Sequence, residues 1–158
     1  MRLHIKIVIT RYDARLMLMP DNPRTTPTGF DYLIREDGIN VFRLSDLRRE
    51  SVDAFFEANL KLGTEAILAG RHARSLIDVS TLVMPTPYAI KKFQELVTKR
   101  PSGGRSSVAI LTPAGPAYTF GRTILSRIST SHKAHLQLFN SEEAAFGWLD
   151  ERLQELGS

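Results

Sequence analysis

An α/β fold, built on a mixed, largely parallel β-sheet with alternating helices and preceded by antiparallel hairpin strands, is what three features of this sequence predict. Short apolar runs of strand length alternate with amphipathic runs of helical period from Phe30 onward. Capping residues stand at the joins, at Ser45 or Asp46, at Thr86 before Pro87, and at Ser141. Glu36-Asp37-Gly38 marks a tight turn between two strands, with the positive φ that such a turn needs available at the glycine. With 158 residues, of which 42% are hydrophobic, the chain can bury one core well, whereas two domains would each be marginal.

In order, Leu3, Ile5, Ile7 and Ile9 alternate with polar neighbours in a half-buried strand. Asp13-Ala14 can turn it into Arg15 to Met19 as a hairpin. Residues 20–29, dense in Pro, Asn, Asp, Thr and Gly, read as a connector. The chain thus divides at 1–29, hairpin and connector, and 30–156, the main domain, with Met19 as a candidate alternative start. Phe30 to Arg35 and Ile39 to Leu44 form the second hairpin. The first helix carries Val52, Phe55, Phe56, Leu60 and Ile67 on one face and stops at Gly70. Arg74 to Val79 is an interior strand. Thr86-Pro87 opens a helix that turns Ile90, Phe93, Leu96 and Val97 inward and ends before Pro101. Ser107 to Leu111 is a strand, Thr112 to Pro116 a turn, and Ala117 to about Ile128 a helix. Leu136 to Phe139 closes the sheet, and Ser141 caps a helix with Ala144, Ala145, Trp148, Leu149 and Leu153 inward.

Composition narrows the function classes. The chain has no cysteine, which excludes disulfides, thiolate metal sites and cysteine nucleophiles and suits a reducing, cytoplasmic setting. No apolar run has the length of a membrane span, so no membrane insertion is expected. A net charge of +4 is modest, and its arginines and lysines lie among acidic neighbours without interleaved aromatics, which argues against nucleic-acid binding. His132 and His135 are a surface pair without carboxylate company, and no metal or other cofactor is expected. A Gly-x-Ser-x-Gly elbow and a phosphate loop are both absent, and Ser102-Gly103-Gly104-Arg105 precedes a strand where such a loop follows one.

The stretch from Ser75 through Asp78-Val79-Ser80 to Ala89 resembles the strand-to-helix signature of the STAS family, in which an aspartate, an aliphatic residue and a serine end a strand. Leu136 to Leu149, with its acidic, alanine-bearing helix and Trp148-Leu149, is similar to that family's last strand and helix, and Val108 to Pro113 and Ala117 to Arg122 look like an uncharacterised bacterial branch. The resemblance covers about Phe30 to Leu153. It implies an anti-sigma factor antagonist-like fold and a non-enzymatic regulatory or scaffolding protein that acts through a protein partner. In the antagonists, an aspartate, a phosphorylated serine or threonine, a small residue and a glycine open the helix after the signature. Here those places hold Thr86, Pro87, Tyr88 and Ala89, and proline accepts no phosphate, so that switch does not carry over.

Ligands of open α/β sheets sit beyond the carboxyl ends of strands, facing helix N-termini. That edge gathers Asp78, Ser80, Thr86, Thr112, Gly115 and Tyr118 as candidate ligand-binding or regulatory residues for an anion or nucleotide, with structural roles in turns and caps as the competing reading. A second expectation is a carrier or sensor of a small apolar or amphipathic ligand such as a lipid, since some STAS-like proteins are similar to CRAL-TRIO lipid-transfer domains. Phe55, Phe56, Phe93, Tyr118 and Phe120 would line its cavity, unless they are core. The aliphatic N-terminal hairpin suits homodimer formation by sheet extension.

Overall fold

The computed structural model describes residues 28–127 and 135–158. The N-terminal hairpin, Met19, the connector through residue 27, the expected helix end at Ile128, and His4 and His132 lie outside the described residues.

Alternation in the first two strands sets the frame. In β1 (Phe30–Ile34) and β2 (Asn40–Leu44), antiparallel with Phe30 opposite Leu44, the aromatic Phe30, Tyr32 and Phe42 share one face, while Leu33 and Val41 share the other. Gly38, at φ 80°, makes the turn between them. Then β3 (Ala73–Asp78), β4 (Ser106–Leu111) and β5 (Leu136–Phe139) add in sequence order, each parallel to the last. The sheet of five strands therefore advances by one position at every crossover.

Right-handed crossovers that always step in one direction place their helices on one face. Accordingly α1 (Arg49–Leu68) and α2 (Pro87–Lys99) pack their Phe55, Phe56, Phe93 and Leu96 on the face of Phe42, Ile77, Val108, Ile110 and Leu138. The third, α3 (Pro116–Ser126), joins that face through Tyr118 and Leu125. With no strand left to follow it, α4 (Glu142–Leu156) covers the opposite face, where Ala145 and Leu149 meet Ile39, Val41, Leu76, Ala109 and Leu111. Among the described residues no helix is long and apolar enough to cross a membrane.

Local chemistry explains the helix ends and corrects some of the expected ones. Neither Ser45 nor Asp46 is the N-cap of α1; Arg48 is, with no side-chain cap bond. Asp46 serves the turn before the helix, accepting from the Arg48 N–H at 3.1 Å and from the Ser51 hydroxyl at 2.6 Å. Its hydrogen bonds from the Arg48 side chain, and then from Ser51, hold this carboxyl below the usual range. Thr86 caps α2 as expected, its hydroxyl accepting from the Ala89 N–H at 3.2 Å with Pro87 in the first turn. Ser141 caps α4 through the Ala144 N–H. Ala144 itself, expected inward, is exposed, because Ala145 and Leu149 define the face that meets the sheet. Of the inward set of α2 only Leu96 is buried, since beneath Ile90 and Phe93 lies open space.

Candidate functional site

That space has a cause in side-chain size. α2 packs chiefly against α1, and α3 against β5, so the two helices diverge over β3 and β4. Three of the helix residues that line the gap are small, Ala89 on α2 and Ala117 and Gly121 on α3, and they stand beside Ile90 and Phe93 of α2 and Ile124 and Leu125 of α3. A cavity of about 150 Å³ results, floored by Ile77, Ile110 and Leu138 and walled by Phe55, Phe93, Ile124 and Leu125. Engineered apolar cavities of roughly this volume stay dry and take up benzene-sized molecules. Val83 and Met84 stand at its rim, 82% and 47% exposed, where the β3–α2 loop crosses the opening.

The apolar cavity adjoins a second, larger chamber. Ile77 and Phe93 line both, and the inward positions of the strands run from one into the other, Val108 to Ile110 in β4 and Leu136 to Leu138 in β5. Successive inward positions on a strand are about 6.6 Å apart, so the two chambers lie side by side in the cleft on this face of the sheet, with Ile77 and Phe93 between them. The second encloses about 380 Å³ at the amino ends of β4 and β5, and its lining is mixed, with Arg100, Ser102, Ser106 and His135, beside Gly103 and Gly104, set among apolar Ile67, Leu96, Val97 and Val108. Arg100 donates to the Ser106 hydroxyl and to Oδ1 of Asn59. Burial pushes its guanidinium down to about 10.

The sequence-predicted residues at the carboxyl edge are placed as follows. Asp78 faces away from the cleft, on the α4 side of the sheet, where Arg43 lies 3.6 Å from it across the β2–β3 pair. The same carboxylate accepts from the N–H of Ser80 at 3.0 Å and from its hydroxyl at 2.6 Å, which closes the turn after β3. Thr86 is occupied as the cap of α2. Gly115, at φ 92°, begins α3, a backbone conformation that favours glycine. Thr112 is buried, its N–H donating to Phe139 at 2.9 Å, and it alone of the six lines the apolar cavity. Tyr118 is half-buried against the aromatic core. The fold thus joins Asp78 to Ser80, and distributes the other four among two helix starts, a strand end and a core contact. Of the aromatics expected around an apolar ligand, Phe55 and Phe93 line the cavity, whereas Phe56, Tyr118 and Phe120 do not.

No protein-family model, no curated protein and no solved structure matches the chain. What the cleft can bind follows from its own geometry. Among the described residues no cluster of three or more His, Asp or Glu could hold a metal ion. The two groups of the apolar chamber with polar atoms are both engaged, Lys92 by Asp53 at 3.6 Å and Glu95 at 3.8 Å, and Thr112 by Phe139.

Sequence reasoning missed the polar chamber. Arg100 follows Lys99 at a helix end and reads as a solvated charge. The signal was Asn59, an amide set four residues after Phe55 on the apolar stripe of α1 and wholly buried in the fold. A polar residue at such a position needs a partner from elsewhere in the chain.

Proposed function

We propose that this protein is a non-enzymatic module of STAS-like architecture that carries or senses a small apolar ligand held between α2 and α3. The observation that carries this reading is the apolar cavity, bordered by the small Ala89 and Ala117 and reachable past Val83 and Met84. Cores ordinarily pack to crystal density, and an apolar void left open to the surface forfeits contacts that larger side chains would supply. The STAS-like part is supported by the hairpin followed by helices alternating with parallel strands, by the Asp78-Val79-Ser80 strand end, and by α4 with Trp148-Leu149. A protein partner, expected from the resemblance, enters as the reader of the sensor, meeting the loop of Val83 and Met84 at the rim.

The test is saturable binding of a small neutral apolar probe, toluene, to the purified protein, followed by amide chemical shifts and repeated on Ala117→Leu. That substitution fills the cavity from α3 without touching the polar chamber. The expected result is one saturable site in the wild type and about tenfold weaker binding in the variant, with its melting temperature preserved or raised. Equal binding by both proteins overturns the assignment to this cavity.

A further inference from the structure

The apolar cavity accounts for one half of the cleft and leaves the other half, at the amino ends of β4 and β5, without a role. Three features of that chamber are costly as structure alone. Arg100 is a half-buried cation, and among the described residues it makes no ion pair with a carboxylate. A buried charge is ordinarily paired, because the field of a counter-ion offsets the lost hydration. The second feature is His135, whose Nδ1 is buried with no hydrogen-bond partner while the residue lines the chamber. The third is Asn59, which does not itself line the chamber but accepts from Arg100 at Oδ1 and, fully buried, leaves Nδ2 without a partner.

These orphaned groups point to one missing chemistry. The bonds from Arg100 to Ser106 and Asn59 use one hydrogen on each terminal nitrogen and hold the guanidinium plane in place. Nε–H and a second hydrogen on each terminal nitrogen remain, the fork that fits two oxygens of a carboxylate or phosphate. At about 380 Å³ the chamber falls within the range of small-molecule sites. Its wall at Gly104 is drawn tight, since a Cβ there would come within 2.4 Å of Ile67.

We propose that the chamber of Arg100, Ser106 and His135 binds the oxyanion head group of the ligand whose apolar part occupies the cavity between α2 and α3, so that the cleft takes an amphipathic anion. This rests on the apolar-ligand reading above and adds the ligand's polar end. Ile77 and Phe93, shared by the two chambers, are where head and chain would join.

Calorimetric titration of the full chain separates the two readings. The probes are decanoate, decyl phosphate and decanol, with acetate and inorganic phosphate as chainless anions. The expected result is that decanoate or decyl phosphate binds about tenfold or more tightly than decanol. Arg100→Gln should bring that ratio close to one. Because Arg100 also ties α1 to β4, His135→Ala is the second variant, and it should reduce the ratio with the melting temperature little changed. Inorganic phosphate or acetate binding, lost in Arg100→Gln, supports the oxyanion chamber with a free anion as its source. Equal affinity for decanoate and decanol in the wild type overturns the head-group assignment and leaves the apolar cavity standing. Absence of binding by every probe overturns both.

Discussion

Single residues carry charge and backbone constraints that the fold turns into measurable behaviour. His72 is buried at the amino end of β3, under the last turn of α4. In its neutral form Nδ1–H donates to the carbonyl of Gly157 at 3.1 Å, and Nε2 accepts from the Ser107 hydroxyl at 2.9 Å. Burial, followed by the nearby Arg74, Arg105 and Arg152, holds its pKa below the ordinary 6.5. As pH falls below that value the unfolded chain takes up the proton first, so stability present above it is lost as pH descends through the folded value. Thermal unfolding followed from about pH 7 to pH 5 should show a steeper fall in the wild type than in His72→Gln. At neutral pH that variant should already be less stable by about 1–3 kcal/mol, through the lost hydrogen bonds. At Gly104 the constraint is steric. Gly104→Ala places a methyl group against Ile67, and urea unfolding should show a cost of about 1–3 kcal/mol.

Elements differ in how much of them is legible in the sequence. The Thr86-Pro87 start, the Gly38 turn and the Ser141 cap are local chemistry, and each appears in the structure where the residues predict it. Thr86→Ala should therefore lower stability by about 1 kcal/mol in denaturant titration, while Thr86→Ser should retain most of the cap. The start of α1 was misplaced because Asp46, with two good acceptor oxygens, can serve either a helix or the turn before it. Arg48 and Ser51 decide for the turn. The helix α4 is the least redundant element, since it alone among the described helices covers its face of the sheet. Leu149, fully buried there, has no second helix to close over a cavity, and Leu149→Ala should cost about 2–5 kcal/mol by chemical denaturation.

At the scale of the molecule the two faces have different tasks. One is sealed by α4 and its polar fringe, and the other is opened by the divergence of α2 and α3 into a cleft with an apolar and a cationic chamber. The described strands form a single sheet under shared cores, so a chain starting at residue 28 should unfold in one cooperative transition whose midpoint is the same by circular dichroism and by Trp148 fluorescence. Two non-coincident transitions would refute this. Sequence alone determined the α/β class, the order of the described elements, the hairpin of β1 and β2 and most of the inward faces, because period, caps and turn residues are local properties. Tertiary structure decided which inward faces meet atoms and which meet space. Ala89 on α2 and Ala117 and Gly121 on α3 are unremarkable small residues until the fold sets their two helices apart, and Arg100, Asn59, Ser106 and His135 come from four separate segments. It also turned Asp78 and Ser80 toward each other and away from the cleft. Convergence of distant side chains depends on crossover direction and helix packing, and neither is written in the spacing of residues along the chain.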